Sequence, residues 1–230
     1  MRGFKLMLAA AALAAVAPVG AAKLPATWDG LVEVKANKLA AVYLLPNADF
    51  RAYSQVMLDP SEVAFQKDWE QNYNAQTISL SNRVTDGDVQ KGIAEAEAAL
   101  NKIFSETFTK EGYQIVTAPG PNVARVSIGV IDLSVTAPDV GTGFGMNYAV
   151  DAGEATLVVE VRDSVTNQLL GRGLDRRAAG DEDGPGFPRT AVSNRDDFKA
   201  LFQTWATIAA KGLSELRATS PINTDGIRKQ

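Results

Sequence analysis

The sequence predicts an α+β two-layer sandwich, in which a mixed, largely antiparallel sheet carries two long amphipathic helices mainly on one face. Apolar residues recur at helical spacing over residues 86–110 and again over 194–218. Strand-like segments lie between them, at 124–135, 155–162 and 169–174. A helix with a single apolar stripe needs another element to cover that stripe, so we expect both helices to pack on the sheet.

The first residues have the pattern of a secretory signal peptide. Arg2 and Lys5 precede an apolar run at 6–19, and small residues follow at 20–22. The run is shorter than the roughly 20 apolar residues that a spanning helix needs, and it contains Pro18, which disfavours an uncleaved membrane anchor. We therefore expect export.

Cleavage is expected between Ala22 and Lys23, or one residue earlier. The chain has no cysteine, so a lipid anchor on a cysteine and stabilising disulfides are both excluded. We expect a periplasmic or secreted protein with no lipid anchor and no transmembrane helix after cleavage.

The first strands are expected near residues 41–45 and 56–65. The first of these is a short apolar run, and the second alternates apolar and polar residues on both sides of Pro60. This favours an extended segment at a sheet edge, where the missing N–H of Pro60 is tolerated. The alternative is a helix that begins at Asp59 with Pro60 at its first position. The choice between strand and helix stays open for residues 56–70.

Both long helices carry capping signals. Thr85 or Asp86 can cap the first helix, and Gly112 is placed to end it. Ser193 and Asp196 have the spacing of a capping box for the second helix.

The central strands differ in their patterns. In residues 124–135 apolar residues occur at both even- and odd-numbered positions, which lie on opposite faces of a strand. We therefore expect this strand to be covered, or nearly so, on both faces. Residues 155–162 and 169–174, joined by the turn at 163–167, are expected to form an antiparallel hairpin.

The expected domain organisation is a leader at 1–22, a single α/β domain at 23–220 and a flexible tail at 221–230. Two stretches are expected to be irregular, 137–147 and 178–189, because they are rich in glycine, proline and acidic residues.

The overall charge is −4, and loss of the leader takes it to about −6. Neither nucleic acid nor an anionic lipid surface is attracted by such a net charge. We therefore expect no nucleic-acid partner.

The chain has neither histidine nor cysteine. Ser-His and Cys-His nucleophiles are therefore excluded, as are zinc, haem and iron–sulfur sites of ordinary ligation. The motifs S-x-x-K and G-x-S-x-G are also missing. We expect no metal and no cofactor, and only carboxylate chemistry remains for a catalytic role.

Asp132 is the acid of most interest, because it follows apolar residues on one face of the 124–135 strand. A carboxylate there is costly unless it is paired. The simpler interpretation is a strand-end residue that reaches solvent or a structural partner such as Arg125 or Arg172; the alternative is a working acid.

Two loops resemble ligand-binding motifs without meeting their requirements. The sequence GTGFG at 141–145 is not followed by the helix that a phosphate-binding loop needs. Residues 181–184 lack the alternating ligands and distal glutamate of a calcium loop. Both are interpreted as solvated connections.

Charged residues on the expected hairpin form a possible patch. Ion pairs across the strands of its solvent face explain them most simply, and a partner-binding surface is the alternative. The candidate partner-binding residues are Asp132, Glu160, Arg162, Arg172 and Arg176. Asp175 and Arg177 are charged neighbours of Arg176.

Several segments in order resemble the bacterial family called domain of unknown function 3313. They are WDGL at 28–31, AVYLLPNADFRAY at 41–53, VMLDPSEVAF at 56–65, DAGEATLVVEVRDSVTNQLLGRGLDRR at 151–177 and WATIAAKGLSEL at 205–216. The resemblance implies an envelope protein, often a lipoprotein, and no catalytic residue. Because this chain lacks cysteine, it departs from the lipoprotein members.

Three functions are compatible with the sequence. The leading hypothesis is a non-catalytic binding or accessory protein of the cell envelope, whose partner is another envelope protein or a cell-wall component. The second is a carboxylate-dependent hydrolase or lyase that acts on a cell-wall or extracellular glycan. The third is a module that binds a small solute in an apolar pocket.

Overall fold

The computed structural model describes residues 24–136, 147–149, 151–180 and 187–228. These form an open sheet of nine strands, a separate two-stranded ribbon and three α-helices, which confirms the α+β class. The main sheet comprises β1 (Thr27–Trp28), β2 (Leu31–Val34), β3 (Ala41–Leu44), β4 (Gln55–Leu58), β5 (Glu62–Phe65), β6 (Gln114–Ile115), β7 (Val123–Val135), β9 (Gly153–Asp163) and β10 (Leu169–Ala179). The ribbon pairs β8 (Asn147–Ala149) with β11 (Phe187–Arg189). The helices are α1 (Trp69–Gln76), α2 (Asp86–Lys110) and α3 (Ala191–Thr219).

The main sheet is mixed, as predicted. Its strand order is β1-β2-β3-β10-β9-β7-β4-β6, with β5 also paired to β7. Every pairing from β1 to β7 is antiparallel, whereas β4, β5 and β6 run parallel to their neighbours. The predicted hairpin is β9–β10, and both of its strands are longer than the sequence pattern indicates.

The segment around Pro60 consists of two strands, so the helical alternative for residues 59–65 is wrong. The Asp59 amide donates to Val126 of β7, and the Ser61 amide turns away to the side-chain oxygen of Asn101 on α2. Pro60 therefore sits at the crossing between β4 and β5, where no ladder hydrogen bond is lost. Of these two strands, β5 has no neighbour on its outer side among the described residues, as predicted for an edge strand. Strand β4 has β6 on its outer side.

The two long helices begin at capping boxes. Thr85 and Asp88 exchange hydrogen bonds at the start of α2, and Gly112 at φ 98° follows its end, as predicted. Helix α3 begins earlier than predicted, because Thr190 and Ser193 form its capping box. The assignment of that role to Ser193 and Asp196 is therefore wrong.

Helices α2 and α3 pack on one face of the sheet, as predicted. The prediction that β7 is covered on both faces holds in part, because its helix-side residues are buried and Arg125, Ser127 and Ile131 on its other face are half-buried. On the helix side, buried residues of α2, α3 and the central strands form one continuous core. A smaller cluster covers the opposite, outer face near β2, β3 and β10. The core includes Leu100, Phe104, Phe108, Leu201, Phe202, Trp205, Val126, Val130 and Leu157, and the outer cluster consists of Leu31, Ala41, Tyr43, Val158 and Leu174.

The segment after Pro221 packs against the domain, in contrast to the predicted flexible tail. The side chain of Ile222 is buried, and its backbone exchanges hydrogen bonds with Asn47 and Ala48. The carbonyl of Ile227 accepts from Lys35. These bonds hold the C-terminal segment against β2 and β3.

Part of the predicted irregular stretches is strand, because Ala178 and Ala179 belong to β10. Residues 137–146, with the GTGFG motif, and 181–186, with the acidic loop, lie outside the described residues, as do the predicted leader at 1–22 and Lys23. No helix in the described ranges is both long and apolar enough to cross a membrane.

Candidate functional site

A cavity of about 550 Å³ separates the C-terminal half of α3 from the sheet. Its walls are α3 and strands β3, β9 and β10. The loop at 35–39 and the C-terminal segment at 219–227 contribute to its rim. Ligand-binding clefts of proteins fall between about 300 and 1,000 Å³, so this space is large enough for a small ligand.

Glycines lie on both walls of the cavity, and the one on α3 borders open space. Gly171 and Gly173 lie on β10, and Gly212 lies on α3 within the apolar stripe. A Cβ atom built on Gly212 would meet nothing within 4 Å, so the missing side chain leaves open space. On the opposite wall, a Cβ atom on Gly173 would lie 2.8 Å from the tip of Leu39. Gly212 therefore leaves room on the helix side, whereas Gly173 lets the side chain of Leu39 approach the backbone of β10.

The cavity is apolar at its deep end and charged at its mouth. Phe108 and Val126 line the deep end and are almost fully buried. Lys35 and Lys38 line the mouth, where Lys38 pairs with Glu215 of α3 at 2.8 Å. This polarity suits a ligand with one apolar and one polar end.

A second, smaller cavity of about 170 Å³ lies between α2 and the beginning of α3. Phe65, Trp69 and Phe198 are among its lining residues. Its volume is below the usual range for small-molecule sites. The α3 cavity is therefore the stronger candidate.

The predicted charged patch separates into groups on the two faces of the sheet. On the outer face, Arg172 is only 8% exposed and donates to Glu160 and Asp29, and its guanidinium carbon lies 4.1 Å from the centre of the Trp28 ring. Glu160 also accepts two hydrogen bonds from Arg162. Glu160, Asp29 and Trp28 fix Arg172 in place, and these contacts tie β1 to β9 and β10.

Arg176 belongs to a separate outer-face group. It pairs with Glu154, and this hydrogen bond raises the pKa of Arg176, with a smaller contribution from the charge of Asp132. Neither Arg125 nor Arg172 is the partner of Asp132, in contrast to the structural partners expected from the sequence. Arg125 pairs instead with Asp59.

Asp132 does not continue the apolar face of its strand, as the sequence suggested. It has φ 51° and lies in a bulge of β7, where the register with β9 shifts between Ile131 and Ser134. Because the bulge adds one residue, Leu133 takes the place in the core.

Asp175 and Arg177 face the helices. The Asp175 carboxylate accepts from the indole of buried Trp205 at 2.9 Å, from the Ala40 amide at 3.0 Å and from Arg177. Arg177 also donates to the carbonyl of Lys38 at the cavity mouth. This network holds β10, α3 and the loop before β3 together beside the cavity.

Replacing Arg172 with lysine should lower the free energy of unfolding by about 1–2 kcal/mol, because lysine cannot bridge two carboxylates and stack on an indole at once. Arg176→Lys is the matched control; its pair with Glu154 is exposed, so the cost should be under about 0.5 kcal/mol. Urea unfolding measures both values. Equal, negligible costs would contradict a structural role for Arg172.

The glycines of the cavity were not identified as a site from the sequence, although a signal was present. A glycine inside a helix costs about 1 kcal/mol relative to alanine, and glycines in a strand weaken it. Gly212 interrupts an otherwise regular stripe, and Gly171 and Gly173 flank Arg172. Only the folded chain shows that these three positions face the same space.

A family model described as a protein of unknown function (DUF3313) matches residues 22–209. The match ends within α3, three residues before Gly212. A search of curated proteins finds no match.

Three solved structures resemble the fold. The PelC dodecamer from Paraburkholderia phytofirmans is 13% identical with a TM-score of 0.37, over 76% of this chain and 96% of that one. A homolog of a neuraminyllactose-binding hemagglutinin from Helicobacter pylori is 11% identical with a TM-score of 0.36, over 76% and 93%. A DUF330 protein from Xanthomonas campestris is 11% identical with a TM-score of 0.35, over 77% and 91%. Likeness at this level says nothing about what the chain binds.

Proposed function

The chain belongs to the DUF3313 family of proteins of unknown function, and we propose that it is an exported, non-catalytic binding protein of the cell envelope that holds an apolar ligand in the α3 cavity. The observation that carries the proposal is the largely apolar cleft of about 550 Å³ between α3 and the sheet. The natural ligand would be a molecule of the cell envelope or an apolar part of one.

Export is supported by the leader at 1–22, with cleavage between Ala22 and Lys23. The mature chain would then begin just before β1, whose Trp28 and adjacent Asp29 contact Arg172. Removal of the leader therefore leaves this anchoring contact in place.

The surroundings of Glu160 and Asp175 favour a binding protein over a glycan hydrolase or lyase that would use these two acids. A carboxylate mechanism needs two acids that flank one substrate, with one of them free to exchange a proton. Glu160 is held by two arginines on the outer face, and Asp175 is held by three donors on the helix face. These two acids cannot act on one substrate because the sheet lies between them.

The energetic case for an apolar ligand follows from the buried surface. Each methylene group removed from water contributes about 0.8 kcal/mol, so a ten-carbon chain gains about 8 kcal/mol. Lost translational and rotational freedom costs at least about 4 kcal/mol. The alkyl chain alone therefore contributes a net of at most about 4 kcal/mol, which corresponds to a millimolar dissociation constant.

Filling the cavity from Gly212 tests the proposal. The mature chain should bind the uncharged fluorescent probe N-phenyl-1-naphthylamine, and Gly212→Leu should weaken this binding at least about tenfold, because leucine occupies the ligand's space. Fluorescence titration measures the affinity.

Gly212→Ala is the matched control. It should keep most of the affinity and raise the free energy of unfolding by about 0.5–1 kcal/mol, since alanine is the better helix former. Absence of probe binding by the unsubstituted chain, or equal affinity in all three proteins, would contradict the proposed function.

A further inference from the structure

We propose that the occupant of the α3 cavity is a single-chain amphiphile with an anionic head group, its alkyl chain inside the cavity and its head group beside Lys35 and Lys38. The inference rests on the proposed function and names the ligand class of the same site. The volume, the polarity and the charge of the cavity each contribute to it.

The volume limits the number of chains. A methylene group occupies roughly the space of one water molecule, about 30 Å³, so a chain of 10 to 16 carbons needs about 300–480 Å³. The cavity of about 550 Å³ accommodates one such chain. Two chains of 16 carbons would need about 960 Å³, so a single chain matches this volume better.

The polarity sets the orientation of the chain. Its apolar end would contact Phe108 and Val126, which are buried beneath α3 and the sheet. The Asp175 carboxylate is already saturated by Trp205 and the Ala40 amide, and it offers no donor to a head group. The head group therefore belongs at the mouth, where exposed charged side chains line the rim.

The charge of the mouth selects the sign of the head group. Lys35 is exposed and makes no ion pair with a described residue, whereas Lys38 is neutralised in part by Glu215. The backbone of Arg228 pairs with Val34, which places a further cation next to Lys35 in the fold. Two lysines thus accompany one acid, Glu215, among the side chains that line the mouth, although the whole chain is acidic at −4. Local charges at a cleft mouth act on a bound head group more strongly than distant ones, because salt screens the latter.

Carboxylates and phosphate monoesters share the required chemistry, so both are compared. Isothermal titration calorimetry of the mature chain would use four ten-carbon ligands below their micelle concentrations: decanoate, decyl phosphate, 1-decanol and decyltrimethylammonium. At least one anion should bind about three- to tenfold more tightly than 1-decanol, and the ammonium ligand should bind most weakly. The tighter anion identifies the head group.

Lys35→Gln should lower the preference for the anion over 1-decanol about threefold, because it removes a positive charge at the mouth that makes no ion pair with a described residue. Lys102→Gln is the matched control, since it removes the same charge from an exposed position of α2 and should not alter the preference. Equal binding of 1-decanol and both anions, or an unchanged preference in Lys35→Gln, would overturn the inference while the proposed function stands. Failure of all four ligands to bind would overturn both.

Discussion

Replacing Gly153 with alanine is expected to lower the free energy of unfolding by about 3–5 kcal/mol, or to prevent folding. Gly153 has φ 140°, which L-residues rarely adopt. A Cβ atom there would lie 2.0 Å from the carbonyl oxygen of Ser134 and 3.1 Å from Phe198 of α3. Backbone strain costs about 1–3 kcal/mol and overpacking about 1–3 kcal/mol more.

The contact with Ser134 cannot relax easily, because it involves backbone and not the end of a flexible side chain. It lies at the bulge that carries Asp132, where β7 and β9 re-enter register. Chemical unfolding of Gly153→Ala measures the cost, and Gly212→Ala makes the same chemical change with the opposite expected sign. A loss below about 1 kcal/mol in Gly153→Ala would show that the backbones at Gly153 and Ser134 do not lie this close together.

Removing the Asp175 carboxylate is expected to cost about 3–5 kcal/mol. The group is 5% exposed and accepts from the Trp205 indole, the Ala40 amide and Arg177. Asp175→Ala leaves these donors without an acceptor, and buried donors without partners are costly. The network also fixes the loop before β3, so the affinity for an apolar ligand should fall as well.

A double-mutant cycle with Trp205→Phe isolates the central hydrogen bond. The coupling free energy between Asp175→Ala and Trp205→Phe should be about 1–2 kcal/mol, because the second change removes the donor that the first leaves unsatisfied. Urea unfolding of the four proteins gives the value. Strictly additive effects would mean that this hydrogen bond does not contribute to stability.

The elements that were predictable from the sequence have long, regular patterns. Helices α2 and α3, strand β7 and the β9–β10 hairpin each extend over many residues with a clear period, and tertiary packing preserves that period. Helix α1 was missed because it is short and its apolar residues do not form a stripe. Trp69 stacks on Tyr73 and also contacts the ring of Phe65. Strand β2 was missed because it has only four residues, too few to establish a period in the sequence.

Asp132 shows where pattern reading fails within a correctly predicted strand. Alternation places it on the helix face, but one additional residue in β7 changes the parity from that point onward. Nothing in the apolar pattern of 124–135 marks the bulge. The partner of a charged residue near such a point therefore depends on the backbone, and not on its position in the sequence.

The cavity was beyond prediction for a different reason. Gly173, Gly212 and Lys35 are distant in the chain and come together only through the β3–β10 pairing and the crossing of α3 over the sheet. The sequence pattern supports a binding protein with an apolar pocket as one of three functions, but gives no position for it. The folded chain supplies the position and the charges around its mouth.

The most direct test of the α3 cavity as the binding site is a ¹H–¹⁵N correlation spectrum of the mature chain titrated with N-phenyl-1-naphthylamine. The largest shift changes are expected at the amides of Gly171, Gly173 and Gly212, which line the cavity. No shift change at saturating probe, or changes confined to Trp69 and the smaller cavity, would contradict the proposed site.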